Sequence, residues 1–191
     1  MKDRTLEGTK VAIIAMDGVQ PDELSAPRAA LEQAGATTVL LAPKLGEIQA
    51  TKHSEKAERF RVDEALADAS PEEFDGVLLP GGALNADKLR METAAREFVQ
   101  EMERSGKPIA AICHAPWLLV SAGLVRGHRL TSYYTLQDDI RNAGGQWEDR
   151  EVVVDRNWVS SREPKDIPAF NREMIALFAK ARREVGTGRS S

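Results

Sequence analysis

The chain has 191 residues and a formal charge of −4, from 26 Lys and Arg against 30 Asp and Glu. This length predicts one domain with a sizeable core, and the acidic balance argues against nucleic acid as a partner, because such binding depends on clustered basic side chains. Cys113 is the only cysteine, which excludes a disulfide framework and suits a reducing cytoplasm. The charged N-terminus lacks the apolar segment of a signal peptide, so we expect a cytoplasmic protein.

The uncharged stretch 108–125 approaches the length of a membrane span, but it contains His114, Pro116 and Gly123. A buried strand followed by a buried helix explains this stretch better, and no membrane association is expected.

Four short runs are apolar almost without alternation, which is typical of strands buried on both faces of a parallel sheet. They are 11–16, 38–42, 77–79 and 109–112. Between them, apolar residues at helical spacing over 24–34 and 95–102 predict helices, each followed by a glycine. Alternating strands and helices indicate an α/β domain with a mostly parallel, doubly wound sheet and helices on both faces.

The last third of the chain has a different pattern. Segments 151–154 and 158–160 flank Asp155-Arg156-Asn157 and predict a β-hairpin at one edge of the sheet. An apolar stripe over 170–181 predicts the final helix. We therefore expect one domain over 10–182, an N-terminal tail over 1–9 and a disordered tail over 183–191.

Cys113 stands where the strand 109–112 is expected to turn sharply into a helix. Such a turn lifts a nucleophile above the sheet, and a nearby helix N-terminus lowers the pKa of a thiol. The alternative is simple packing, since a free cysteine is among the residues most often buried. Position alone leaves both interpretations open.

Gly81 and Gly82 end the strand 77–79, and the backbone N–H groups there suit the binding of a developing oxyanion. A plain turn is the alternative. The sequence has neither a phosphate-binding glycine loop nor metal-ligand spacing of His, Cys and carboxylates, so neither a cofactor nor a metal is expected.

Four segments together carry a family resemblance: VLLPGG, KPIAAICHAPWLLVSAGLVRG, LTSYYTLQDDIRNAGGQWED and EVVVDRNWVSSREPKDIPAF. In these segments the chain resembles the PfpI family of intracellular cysteine proteases. That family lies within the class I glutamine amidotransferase-like superfamily, which also contains the Parkinson-linked protein deglycase. The resemblance covers roughly residues 10–180. It implies a flavodoxin-like sandwich, a reactive cysteine and homo-oligomers in which a neighbouring subunit helps build the site.

The resemblance also implies roles for individual residues. Cys113 matches the nucleophile and His114 the adjacent catalytic histidine. Gly81 and Gly82 match the oxyanion-binding position. Asp87 is the candidate for an acidic residue that orients the histidine from a neighbouring subunit.

One position departs from the family pattern. The family places a Glu just after the first strand, against the cysteine sulfur, and the matching residue here is Gln20. An amide can donate a hydrogen bond to a thiolate but cannot relay a proton near neutral pH. Glu23 is interpreted as a carboxylate in the first turn of a helix, with compensation for Gln20 as the alternative.

The remaining polar and aromatic candidates have weaker signals. Because adjacent side chains on a helix point apart, His114 is not expected to form a simple dyad with Cys113. Trp117 is a candidate for substrate contact, as are Tyr133 and Tyr134, with packing as the alternative. The other two histidines, His53 and His128, are interpreted as structural.

These observations leave two classes of function. The first is a cysteine-dependent enzyme in stress protection, whose Cys113 thiolate attacks a small carbonyl compound, a glycated adduct or a peptide bond. The second is a redox-responsive stress protein in which oxidation of Cys113 is the signal and no turnover occurs. A binding protein that retains the fold without the chemistry is a third interpretation.

Overall fold

The computed structural model describes residues 5–53 and 55–188, with side chains as far as 184. The strands of this part of the chain are β1 (Lys10–Ile14), β2 (Thr37–Ala42), β3 (Gly46–Lys52), β4 (Glu55–Val62), β5 (Glu64–Ala65), β6 (Gly76–Leu79), β7 (Ile109–Ile112), β8 (Arg129–Leu130), β9 (Gln146–Trp147), β10 (Val153–Asp155) and β11 (Trp158–Ser161). The helices are α1 (Pro21–Gln33), α2 (Ala83–Leu89), α3 (Thr93–Arg104), α4 (Pro116–Ser121), α5 (Gln137–Asn142) and α6 (Ile167–Gly188). Short 3₁₀ turns span Pro71–Glu73, Tyr134–Leu136 and Pro164–Asp166.

A seven-stranded sheet forms the centre of the domain, in the order β10-β11-β7-β6-β1-β2-β5. All neighbours in it are parallel except β10 and β11, which form an antiparallel hairpin at one edge. The predicted parallel α/β sheet and its edge hairpin are both confirmed.

Both faces of this sheet are covered, as the continuous apolar runs predict. In β1, Val11 and Ile13 pack on one side while Ala12 and Ile14 pack on the other, because successive side chains of a strand alternate. Helices α1 and α6 cover the first face, and α3, α4 and α5 cover the second. Each fully buried Leu, Ile or Phe in these two layers contributes roughly 1.5–3 kcal/mol.

The β3–β4 hairpin lies outside the main sheet and was not predicted. Its strands are rich in charged residues and mostly exposed, so they lack the apolar runs that mark the central strands. Two backbone hydrogen bonds attach it to the loop after β1: Gly18 N–H donates to Gln49 O at 2.8 Å, and Thr51 N–H donates to Val19 O at 2.9 Å. The hairpin turn therefore stands beside the start of α1.

Both predicted tails need correction. Leu6 is fully buried in the core, and its N–H donates to Ala34 O at 2.9 Å, so the domain begins before residue 10. Helix α6 continues to Gly188, so residues 183–188 are helical where a disordered tail was expected. The remainder of the predicted tails, residues 1–4 and 189–191, lies outside the described residues.

None of the helices within residues 5–53 and 55–188 is long and apolar enough to cross a membrane.

Candidate active site

A cavity of about 760 Å³ opens at the carboxyl ends of the parallel strands, where doubly wound sheets hold their ligands. Its walls come from the loops that follow β1, β6, β7 and β11 and from the turn between β3 and β4. Cys113 and His114 lie on the wall beside β7, and Glu23 and Gly82 lie next to them.

Cys113 occupies a sharp turn immediately after β7. Its φ of 64° is in the left-handed region, which costs a non-glycine residue about 1 kcal/mol or more. Two backbone hydrogen bonds hold this conformation: Cys113 N–H donates to Ser161 O at 3.0 Å, and Tyr133 N–H donates to Cys113 O at 2.8 Å. The geometry is that of a nucleophile elbow, which places the sulfur on the cavity wall with the residue only 6% exposed.

Glu23 lies at the base of this elbow with no exposed surface. The Cys113 thiol and the Gly81 N–H face its carboxyl group, yet neither carboxyl oxygen makes a hydrogen bond to the described residues. Burial, only partly opposed by these two groups, raises the pKa of Glu23 from 4.5 to about 8. The carboxyl group is therefore protonated at neutral pH and can act as a hydrogen-bond donor.

The expectation for position 20 is wrong. Gln20 is the N-cap of α1: its Oε1 accepts from Glu23 N–H at 2.9 Å, and its Nε2 donates to Asp22 at 3.2 Å. Gln20 borders the cavity, but Glu23 is the residue beside the sulfur. Pro21 favours the first helical position, which makes residue 20 the cap and places residue 23 in the first turn, but this signal does not show which way Glu23 faces.

The pKa of the Cys113 thiol moves opposite to the direction expected from the sequence. Burial raises it, the charge of Glu23 raises it further, and the backbone N–H groups of Gly82 and His114 oppose the rise only in part. Helix α4 begins three residues later, at Pro116, and is six residues long, so its N-terminus does not hold the sulfur directly. Protonation of Glu23 removes one of the causes of this rise.

His114 contacts the sulfur, contrary to the expectation that the two side chains diverge. Its Nδ1 lies 3.1 Å from Cys113 Sγ. The expectation assumed helical backbone at both residues, whereas the left-handed conformation of Cys113 turns the two side chains toward the same side. The ring stacks on Tyr133 with centroids 4.5 Å apart, and burial lowers the pKa of His114 to about 4. The imidazole is therefore neutral at pH 7.

The two glycines after β6 have separate contacts. Gly81 packs against Glu23 and Cys113, and the N–H of Gly82 faces the sulfur. Gly82 has a φ of +94°, and a side chain there would collide with the backbone of Gly18 and Gln20. Of the two glycines, Gly82 directs its N–H at the sulfur, whereas the N–H of Gly81 faces the Glu23 carboxyl group.

Two other predicted site residues lie outside the cavity of this chain. Asp87 is on the exposed side of α2, and its role across a subunit interface stays a prediction. Trp117 packs edge-on against His114 with centroids 5.4 Å apart, and its Nε1 donates to Asp139 at 2.8 Å. Trp117 therefore supports the histidine ring from behind rather than lining the cavity.

Four polar residues of the cavity were not predicted, namely Asp22, Thr51, Lys52 and Glu163, and His53, interpreted as structural from the sequence, also lines it. Lys52 and His53 belong to the unpredicted β3–β4 hairpin, and Glu163 follows β11. Tyr133 lines the cavity, whereas Tyr134 is 60% exposed. No cluster of His, Cys, Asp and Glu able to hold a metal ion occurs in the described part of the chain.

His128 lies away from the cavity in a buried polar cluster. Its ring stacks on Trp158 with centroids 3.8 Å apart. Nδ1 lies 3.1 Å from a carboxylate oxygen of Asp155, and Nε2 lies 3.2 Å from one of Glu103. This arrangement joins α3 to the edge hairpin and fits the structural role inferred from the sequence.

Replacing His128 with leucine should lower the free energy of unfolding by about 2–4 kcal/mol, because two partly buried carboxylates lose a partner. Urea unfolding at pH 7 measures this change. The rate at which iodoacetamide alkylates Cys113 serves as the control and should stay within twofold of the wild type. A loss below 0.5 kcal/mol, on the order of an average surface substitution, would contradict the role given to the cluster.

The fold and the cavity define an α/β protein with a cysteine on a nucleophile elbow, backed by a buried carboxyl group and an adjacent histidine. The DJ-1/PfpI family model matches residues 9–177, and the chain belongs to this family.

Several curated proteins are similar over nearly their whole length. Deglycase TK1284 of Thermococcus kodakarensis is 40% identical over 88% of this chain and 99% of its own. "Protein/nucleic acid deglycase 2" of Escherichia coli is 37% identical over 88% of this chain and 97% of its own. "Putative cysteine protease YraA" of Bacillus subtilis is 37% identical over 88% and 98%. Among solved structures, Drosophila melanogaster DJ-1beta superposes with a TM-score of 0.82 at 26% identity, over 94% of this chain and 96% of that one.

Proposed function

We propose that this protein is a cysteine-dependent enzyme that acts on reactive carbonyl compounds, either free 2-oxoaldehydes such as methylglyoxal or the adducts they form with proteins. The observation that carries the proposal is the contact of one sulfur with two different proton-carrying groups, Glu23 and His114, on the wall of an open cavity. The relatives named deglycase support the same class of chemistry.

The first step is the addition of the thiol to an aldehyde carbon. The Cys113 sulfur forms a bond to that carbon, the carbonyl π bond breaks, and its oxygen becomes an oxyanion within reach of the Gly82 N–H. His114, which is neutral because its pKa is about 4, has a ring nitrogen 3.1 Å from the sulfur and can accept the thiol proton. Transfer of that proton to the oxyanion completes a hemithioacetal.

The second step converts the hemithioacetal without an external oxidant. For methylglyoxal, a proton leaves the former aldehyde carbon and another returns to the neighbouring carbon, so the first carbon is oxidised as the second is reduced. The product is a thioester on Cys113. Water then hydrolyses it to lactate and restores the thiol.

An aldehyde suits this site better than a peptide bond. Cleavage of an amide requires an acid that protonates the leaving nitrogen. His114 is unprotonated at neutral pH because burial lowers its pKa to about 4, and Glu23 is fully buried beneath the sulfur. Isomerisation of a hemithioacetal of methylglyoxal expels no amine, so it does not require an acid that protonates a leaving nitrogen.

A second candidate function is redox sensing at the same sulfur. Oxidised sulfur would find hydrogen-bond donors in the backbone N–H groups of Gly82 and His114 and in the protonated Glu23 carboxyl group. The unpartnered Glu23 carboxyl group favours this role, since its O–H would donate a hydrogen bond to a sulfinate formed at Cys113. A sensor accumulates oxidised cysteine without consuming a carbonyl compound, and this separates the two functions.

The test is methylglyoxal consumption with lactate as the product. Cys113→Ser should lower kcat/KM by at least about 10³-fold, because the nucleophile is lost. Glu97→Gln, which changes an exposed carboxyl group of α3, should retain wild-type turnover. Lactate formation that persists in Cys113→Ser would refute the mechanism. A wild type that only accumulates sulfinate under peroxide would favour the sensor.

A further inference from the structure

Glu163 occupies the cavity wall that follows β11. Ser161, two residues earlier, accepts the backbone hydrogen bond of Cys113 at 3.0 Å, so this segment is fixed against the elbow. The side chain of Glu163 is 35% exposed and borders the same cavity as the sulfur. The mechanism proposed above gives this carboxylate no role.

The charge of Glu163 is not cancelled within the cavity. Asp22 forms an ion pair with Lys52 at 2.8 Å, although its charge still contributes to the raised pKa of Glu23. The preceding Arg162 is held by Asp149 and Asp166, each at 2.8 Å, and is not part of the cavity wall.

Lys165 is the cation that pairs with Glu163. Because its side chain is 68% exposed, water screens its charge more than it screens a group on the cavity wall. With the Glu23 carboxyl and the His114 imidazole both neutral at pH 7, Glu163 leaves the cavity with an excess of negative charge.

The effect of this charge reaches groups around the sulfur. The Glu163 carboxylate contributes to the raised pKa of Glu23 and to the raised pKa of Tyr133, the tyrosine stacked on His114. A charged substrate at Cys113 would experience the same field.

We propose that Glu163 is a specificity-determining residue that makes Cys113 react with neutral carbonyl compounds in preference to anionic ones, such as 2-oxoaldehydes that carry a carboxylate. The substrate part of this inference rests on the proposed function. The selection of neutral over anionic reagents at the sulfur does not, and it can be measured without turnover.

The probes are iodoacetamide and iodoacetate, which share a leaving group and differ in one negative charge. In both reactions the Cys113 sulfur forms a bond to the methylene carbon, the carbon–iodine bond breaks, iodide leaves and the thiol proton passes to solvent. The ratio of the two rate constants is independent of the fraction of thiolate, because both reagents consume the same thiolate.

In Glu163→Gln the rate constant for iodoacetate should rise by about threefold to tenfold relative to that for iodoacetamide, as expected for one charge acting across a partly solvated cavity. The difference between wild type and variant should shrink in 1 M NaCl, an ionic strength at which the Debye length is only about 3 Å. Glu97→Gln makes the same change in net charge on the exposed face of α3 and should keep the wild-type ratio. An unchanged ratio in Glu163→Gln, or an equal rise in Glu97→Gln, would overturn the proposal.

Turnover provides the second readout, with neutral methylglyoxal compared with 4,5-dioxopentanoate, a 2-oxoaldehyde that carries a carboxylate. Glu163→Gln should raise kcat/KM for 4,5-dioxopentanoate by a similar factor and leave the value for methylglyoxal within about twofold. If neither compound is consumed while the alkylation ratio still shifts, the proposed function fails and charge selection at Cys113 is supported. If both are consumed and neither ratio moves, the role of Glu163 is wrong and the function is supported.

Discussion

Glu23→Gln should abolish most of the loss of stability that the wild type suffers between pH 5 and pH 8. The pKa of Glu23 is about 8 in the folded protein against 4.5 for an ordinary glutamate. Below pH 4.5 both folded and unfolded states hold the proton, so the group confers no pH dependence there. Between pH 4.5 and 8 only the folded state retains it, and the free energy of unfolding falls by about 1.4 kcal/mol per pH unit.

Across this window the wild type should lose about 3–5 kcal/mol that the glutamine variant retains. Urea unfolding at pH 5 and pH 8 measures the difference for each protein. A buried glutamine amide without partners costs roughly 1–3 kcal/mol at every pH, so the change between the two pH values is the informative quantity. Glu97→Gln should show the wild-type dependence on pH. A glutamine variant at position 23 with the same dependence would contradict the raised pKa of Glu23.

Gly81→Ala should strongly destabilise the fold, because an added methyl group has no room at the base of the elbow. The new carbon would lie 2.6 Å from Cys113 Cβ and 2.8 Å from Ile112 O, and it would collide with the Glu23 carboxyl group. The backbone of Gly81 cannot retreat freely, because its carbonyl oxygen accepts from Gln20 N–H at 3.2 Å and from Asn85 Nδ2 at 3.0 Å. We expect a loss of about 3 kcal/mol or more in the free energy of unfolding.

Gly127→Ala is the matched control for this prediction. Gly127 has a φ of +78° with no atom within 4 Å of an added carbon, so alanine there should cost only the backbone strain of about 1–2 kcal/mol. Urea unfolding of both variants at pH 7 gives the comparison. If Gly81→Ala is no less stable than Gly127→Ala, then the contacts of Gly81 with Glu23 and Cys113 are looser than described.

The central strands could be predicted because they are buried on both faces. The runs that gave β1, β2, β6 and β7 contain almost no polar residue, which is the pattern expected of strands buried on both faces of a parallel sheet. Strands β3 and β4 could not, since only one of their faces is buried and the apolar residues on it, such as Ile48, Ala50 and Val62, are separated by polar and charged residues instead of forming a continuous run.

The site was predictable in its position but not in its contacts. The strand-to-helix junction located Cys113, and the glycine pair located the facing wall. The residue beside the Cys113 sulfur was predicted one helical turn too early, at Gln20 instead of Glu23. A buried glutamate and an exposed first-turn glutamate have the same sequence signature, so the sequence could not distinguish them. Only the structure shows that α1 turns Glu23 inward, beneath the elbow.

The pairing of β7 with β11 has a consequence for how the protein acquires its activity during synthesis. The elbow at Cys113 is held by the carbonyl of Ser161, a residue 48 positions later in the chain. A ribosome adds amino acids from the N-terminus, at about 5–20 per second. The cysteine therefore exists for several seconds before the strand that fixes its conformation has been made. The reactive site is assembled only when the last third of the chain docks, so a chain interrupted before β11 carries the cysteine without the elbow that presents it.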